Sequence, residues 1–359
     1  MWRKRTAWYI LVGLAIVIKI FSLFPPAVER YYSAGIYPVI SGAQRILFGW
    51  LPFSIGDLLY AAVVIILVVR LFRMVKRVVR RKTNRQYWKN TLSQTVFVLL
   101  AVYVAFNLLW GLNYNRKGVA SQLSLKMTKY SKYELEPIMQ QIVLRLNTLD
   151  SMAKIERALL NTKRKLFNEA IDAYQNLAKR FPVIHYSFRS VKPSLFSYLG
   201  NYLGYTGYYN PFTGEAQVNT TVPIFVQPFT TCHEIGHQLG YAKENEANFA
   251  GFLAARSSDY ASFRYSVYFD MYAYSRYYLF TMDSVMAKKF DAQLRPGVKQ
   301  DYKELREFVQ SHRNPVEAVI DKLYGEYLKA NEQPSGRLAY SEVIGWLVAY
   351  YNRFGKEAI

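Results

Sequence analysis

The chain has 359 residues and a formal net charge of +21, with 16% aromatic residues. That length allows a sizeable buried core in one or two domains, and the aromatic content argues against disorder. A single cysteine, Cys232, excludes an internal disulfide and leaves the redox compartment open.

The positive charge is concentrated in Arg70, Arg73, Lys76, Arg77, Arg80, Arg81, Lys82, Arg85 and Lys89, a run without one acid. It sits between two apolar stretches, as in a cytoplasmic loop of a membrane protein. No nucleic-acid recognition motif accompanies it, so nucleic acid is not an expected partner.

Three segments, about 6–24, 55–72 and 91–110, are long and apolar enough to span a bilayer. Arg3, Lys4 and Arg5 precede the first, which directs its start to the cytoplasm. Its long apolar core and its Pro25-Pro26 ending read as an uncleaved anchor rather than a signal peptide. The basic loop 70–89 then fixes the other two spans. Residues 1–110 are thus a membrane anchor, and residues 111–359 an extracytoplasmic domain. In a bacterial cell that is the periplasmic face of the inner membrane.

Between the first two spans, Tyr31, Tyr32, Tyr37, Phe48, Trp50 and Phe53 mark a stretch expected to lie along the outer membrane surface. Lys19 and Asp57 fall at similar depths. Either they pair across two spans, or, the simpler reading, Lys19 snorkels while Asp57 caps a helix with Ser54.

The outer domain opens on helical repeats: Ile138, Ile142, Leu146 and Leu149, then Ile155, Leu159, Phe167, Ile171 and Tyr174. Glycine, proline and tyrosine dominate 182–226, where 215–219 alternates as a short strand. Helices resume from about Thr231. Asn314-Pro315-Val316-Glu317 is a helix start, and the last apolar run, 343–351, is too short to span.

His233-Glu234-Ile235-Gly236-His237 is an H-E-x-x-H pattern. On a helix, histidines four apart share a face and can hold one zinc ion, while Glu234 is placed to act as general base on water at that ion. A catalytic zinc needs a third protein ligand. Glu244-Asn245-Glu246-Ala247-Asn248-Phe249 follows, with Gly240 suited to turning the chain back. Glu244 and Glu246 both compete for the ligand role, and Asn248 is placed to bond a ligand's far side. Cys232 points about 100° away and reads as a packed side chain. His185 and His312 have no partner pattern.

With these residues the chain resembles the zincin metallopeptidases, in particular the glutamate-ligand branch, whose variant Glu-x-x-Ala-Asn matches Glu244–Asn248. The resemblance implies Glu244 as third ligand, although the gap after His237 is shorter than in many such enzymes. It also implies substrate pairing along an edge strand, for which 215–219 is the expected segment, and an oxyanion-stabilising tyrosine or histidine from later in the chain, with Tyr340 a candidate at the start of the final helix. The whole layout is similar to an uncharacterised family of three-span bacterial membrane proteins with H-E-x-G-H followed by E-x-E-A-N-F.

The expected molecule is a mainly α membrane protein: three transmembrane helices, then a mostly helical α+β zincin-like domain. Its expected activity is Zn2+-dependent hydrolysis of a protein or peptide substrate, with membrane lipid as its other partner. A scaffold or receptor keeping zinc for structure is the rival. Structural sites, however, are usually closed by four ligands and have no use for Glu234. An intramembrane protease is disfavoured, because Glu234, Gln238, Lys243, Glu244 and Glu246 are too polar for a spanning helix.

Overall fold

The computed structural model describes residues 2–127, 129–160 and 162–359. It is mostly helical, with three long apolar helices in the N-terminal half and one three-stranded sheet among the helices that follow. Segments Arg5–Ser22, Ile55–Val79 and Arg85–Leu109 are long and apolar enough to cross a membrane. Their aliphatic side chains, Val64, Ile65, Leu67 and Leu99 among them, are largely exposed. Such a surface needs lipid as its solvent, as in an integral membrane protein.

The second helix continues to Val79 and the third begins at Arg85. Arg73, Lys76 and Arg77 are therefore helical, which their propensity favours. The basic loop contracts to a turn at Arg81, closed by Asn84, whose Oδ1 accepts from the Tyr87 amide at 2.8 Å.

The aromatic stretch between spans one and two is a π-helix, Val28–Ile36, running into an α-helix, Tyr37–Gly49. Val28, Tyr32 and Tyr37 are buried with Trp110, Tyr114 and Tyr209, so this segment packs into the rest of the protein; Tyr31 and Trp50 face outward. Lys19 is exposed. Ser54 caps the second span by accepting from the Asp57 amide at 3.0 Å. The Asp57 carboxylate itself turns away from the helix end. It accepts from the Leu195 amide at 2.6 Å and from the Tyr208 hydroxyl, contacts that sequence spacing does not reveal.

In the C-terminal region, Lys132–Arg157 packs Leu135, Ile142 and Leu146 into a core shared with Phe263 and Phe269 of the helix Ala261–Met282. The repeat 155–174 is broken after Arg157, and a second helix starts at Lys163, capped by Thr162. Asn314 caps Pro315–Ala330 through the Val316 and Glu317 amides.

The sheet has the order β1-β3-β2, with β1 Val191–Pro193, β2 Gly207–Asn210 and β3 Glu215–Val218. β3 pairs parallel with β1 and antiparallel with β2. The segment expected to offer a free edge is therefore the central strand. All four of its residues are buried, Glu215 and Gln217 included, and both of its backbone edges are already paired. The outer strands are β1 and β2.

Glu215 explains why β3 is polar and yet interior. Its carboxylate accepts from the Ile55 and Gly56 amides at 3.2 and 2.6 Å, at the start of the second span. A helix start presents unpaired amides and partial positive charge, which a carboxylate satisfies. Replacing Glu215 by Gln should lower the unfolding free energy of the detergent-solubilised full chain by about 1.5–3 kcal/mol. An unchanged unfolding midpoint would show that this cap contributes nothing.

Candidate metal centre

The helix Gln227–Gln238 begins with Pro228 in its first turn, where the missing amide costs nothing, and every residue in it is buried. The next helix, Glu244–Arg256, crosses it at very short range. A Cβ on Gly251 would lie 3.0 Å from the His233 nitrogen, and one on Gly236 would lie 3.2 Å from the Ala247 carbonyl. The small residues on both helices permit this approach, which carries Glu244 over the two histidines. Gly240 makes the connecting turn at φ +84°.

The imidazole tautomers follow from their partners. The Asn248 amide nitrogen donates to the Tyr340 carbonyl at 2.8 Å, so its Oδ1, 2.7 Å from His233 Nδ1, is the acceptor there. His237 Nδ1 lies 2.8 Å from the Tyr241 carbonyl, which can only accept. Both Nδ1 atoms therefore carry protons, and in the neutral rings both Nε2 atoms present lone pairs. These lone pairs face one oxygen: Glu244 Oε2 is 3.3 Å from His233 Nε2 and 3.5 Å from His237 Nε2. That oxygen has no hydrogen-bond donor, whereas Oε1 accepts from the Tyr324 hydroxyl at 2.8 Å.

Three lone-pair donors converging in a buried site repel one another unless positive charge lies between them. Zinc ligands about 2.0–2.1 Å from the ion at tetrahedral angles stand roughly 3.3 Å apart, so the donor set and its spacing fit this metal. Glu234 completes the cluster. Ligand atoms of His233, Glu234 and His237 all lie within 4.8 Å of one another, and Glu234 Oε2 is buried without a partner.

Burial pushes the Glu234 carboxyl up to about 7, against the opposing pull of the two histidines. Burial alone would lower His237 and raise Glu244. With a proton as the only positive charge at hand, their mutual attraction reverses both, lifting His237 to about 9 and holding Glu244 far below the usual carboxylate range. A proton on His237 Nε2 and a metal ion beside it are thus alternative ways to offset the same carboxylate.

Glu246 points elsewhere. Its carboxylate packs against Gly118, near Arg116 and Lys243, and burial raises it to about 7. Tyr340 lies in the 3-10 segment Gly336–Glu342, before the final helix; its ring stacks on His233 with centroids 6.1 Å apart. Its hydroxyl is 3.1 Å from that of Tyr324. Cys232 is buried, and Tyr174 donates to its carbonyl. His185 is exposed, and His312 packs on Tyr202 and Phe308. Among the described residues, neither joins the cluster.

Several positioning residues escape sequence reasoning. The Gln238 carbonyl accepts from Tyr37 at 2.8 Å and from Ser41 at 3.0 Å, and the His237 carbonyl accepts from Trp110 Nε1 at 3.1 Å. Arg116 donates to the Gly240 carbonyl at 3.1 Å. Gln333 accepts from the Glu244 amide at 2.8 Å. The one available signal is that tyrosine and tryptophan are abundant, and it does not say which of them point inward.

The chain belongs to the family described as protein of unknown function (DUF3810), which it matches over residues 32–348. Comparison with curated proteins and with solved structures gives no match.

Gly240 and Gly204 have similar positive φ, +84° and +73°, but different surroundings. A Cβ at Gly240 would meet the Tyr37 ring at 2.8 Å; at Gly204 the nearest atom, Glu317 Oε1, lies at an ordinary 3.7 Å. Gly204→Ala should cost only the left-handed backbone strain of about 1 kcal/mol, and Gly240→Ala clearly more. Equal losses in thermal unfolding would mean that the Tyr37 contact does not constrain the turn.

Proposed function

We propose that this protein is a membrane-bound zinc peptidase, with zinc held by His233, His237 and Glu244 and with Glu234 as its general base. The observation that carries this reading is the convergence of two Nε2 lone pairs on Glu244 Oε2, beside a buried Glu234 Oε2 that has no partner. Zinc bound there would supply a Lewis acid for a substrate carbonyl and for water.

The residues of the chain account for the rest of the chemistry. Asn248 and the Tyr241 carbonyl hold the imidazole rings in the ligating tautomer. Glu234 Oε2 takes a proton from water and passes it to the leaving amine. The Tyr324 and Tyr340 hydroxyls supply neutral donors beside Glu244. Gly207 in the outer strand β2 lies against Glu234, where a Cβ would sit 2.6 Å from Oε1. An extended peptide added along β2 would carry its backbone past that carboxylate. The basic turn between spans two and three supports a cytoplasmic position for that turn. The site then lies on the opposite, periplasmic face of a bacterial inner membrane.

Purified full-length protein should hold about one zinc per chain, and His233→Ala, His237→Ala or Glu244→Ala should abolish this, read by elemental analysis. Zinc loss on Glu246→Ala with retention on Glu244→Ala would overturn the ligand assignment. Glu234→Gln should keep zinc and fold while slowing cleavage of a peptide library by roughly 10²–10⁴-fold. Equal turnover at equal zinc would remove Glu234 as the base, and no turnover by either protein would favour a zinc-bearing scaffold. For topology, a reporter fused after Asn115 should be active outside the cytoplasm and one near Thr83 inside. The reverse pattern would overturn the orientation.

A further inference from the structure

A second cavity, of about 360 Å³, lies between the segment that follows the first span and the end of the site helix. Its walls include Ser33, Ser41, Arg45, Arg116, His185 and Gln238. The volume falls at the low end of small-ligand sites, which run from about 300 Å³ upward.

Its two arginines are not equivalent. Arg116 is paired with Glu29, through Nε at 3.0 Å and Nη2 at 2.7 Å. Arg45 is 95% buried, being only 5% exposed, and no carboxylate among the described residues lies within 4 Å of it. Its Nε donates to the Ser41 carbonyl at 3.2 Å, and the group sits over the Tyr186 ring at 4.9 Å; Nη1 has no partner. Its titratable neighbours are Tyr37, Tyr186 and Tyr209, which burial keeps protonated and uncharged. A buried cation without a counter-charge is strongly unfavourable, and a ring face offsets only part of that cost.

We infer that this cavity binds a phosphate group, with the Arg45 guanidinium as its counter-charge. The planar guanidinium fork matches phosphate oxygens, and a volume of about 360 Å³ holds a phosphate group with room to spare. The first residue of the cavity wall, Ser33, comes eleven residues after the end of the first span at Ser22, so a lipid headgroup and a soluble phosphate are both within reach.

The test uses the full chain in neutral detergent with inorganic phosphate as one probe. The other probe is nanodiscs of phosphatidylglycerol against phosphatidylcholine. Thermal unfolding should rise saturably with one probe, and Arg45→Lys, which keeps the charge but loses the planar fork, should weaken the apparent affinity several-fold. Without any probe, Arg45→Gln should unfold at a higher temperature than wild type, because it removes an uncompensated charge. With the probe, the order should reverse. A response to inorganic phosphate assigns a soluble ligand, and a response confined to phosphatidylglycerol assigns a lipid headgroup. No response to either probe, or equal responses in wild type and Arg45→Lys, would overturn the inference, and Arg45→Lys keeps the test decisive should Arg45→Gln fail to fold.

Discussion

The carbonyl end of the helix Gln227–Gln238 is the point on which the rest of the site depends. An α-helix leaves its last carbonyls without internal partners, and a buried helix end must find donors elsewhere. Here those donors come from outside the C-terminal region. Tyr37 and Ser41 belong to the segment after the first span, Trp110 follows the third, and Arg116 lies just beyond it. His237 sits in the turn so held. Its ring is fixed from within the turn, Nδ1 by the Tyr241 carbonyl, and its carbonyl by Trp110 at the end of the third span. The anchor and the site therefore form one packed unit, joined further by Glu215 at the start of the second span and by Asp57 on β2.

Some of this was legible in the sequence. The three apolar helices declare themselves by length and composition, because lipid tolerates little else. His233 and His237 share a face because their spacing is four, and Gly240 turns the chain because only glycine adopts that φ cheaply. Asn248 reaches His233 from one turn beyond Glu244 for the same periodic reason. Each of these features lives within a few residues of chain.

The features that sequence misses are long-range. β3 alternates weakly, which reads as a half-exposed edge strand, yet its polar residues face buried partners donated by a spanning helix. No local pattern encodes that partner, 159 residues away at Gly56. Tyr324 meets Glu244 across 80 residues for a similar reason, and nothing in its own surroundings marks it. The break between Arg157 and Lys163 was hidden differently: apolar residues kept their spacing across it, but Ile155 and Leu159 are exposed and pack into no core.

The tyrosines explain how such a site tolerates two buried carboxylates without a nearby arginine or lysine pair. Tyr114, Tyr324, Tyr327 and Tyr340 are joined in hydroxyl pairs, at 3.3 Å between Tyr114 and Tyr327 and 3.1 Å between Tyr324 and Tyr340. Burial, reinforced by the Glu244 charge, raises all four hydroxyls, so they stay protonated and donate without adding charge. A lysine or arginine in their place would neutralise Glu244 and compete for the oxygen that faces the histidines. Tyrosine holds Oε1 in place and leaves Oε2 free. The positive charge that offsets Glu244 then sits on the side of the imidazoles, either as a proton on His237 or as a cation held between both rings and Oε2.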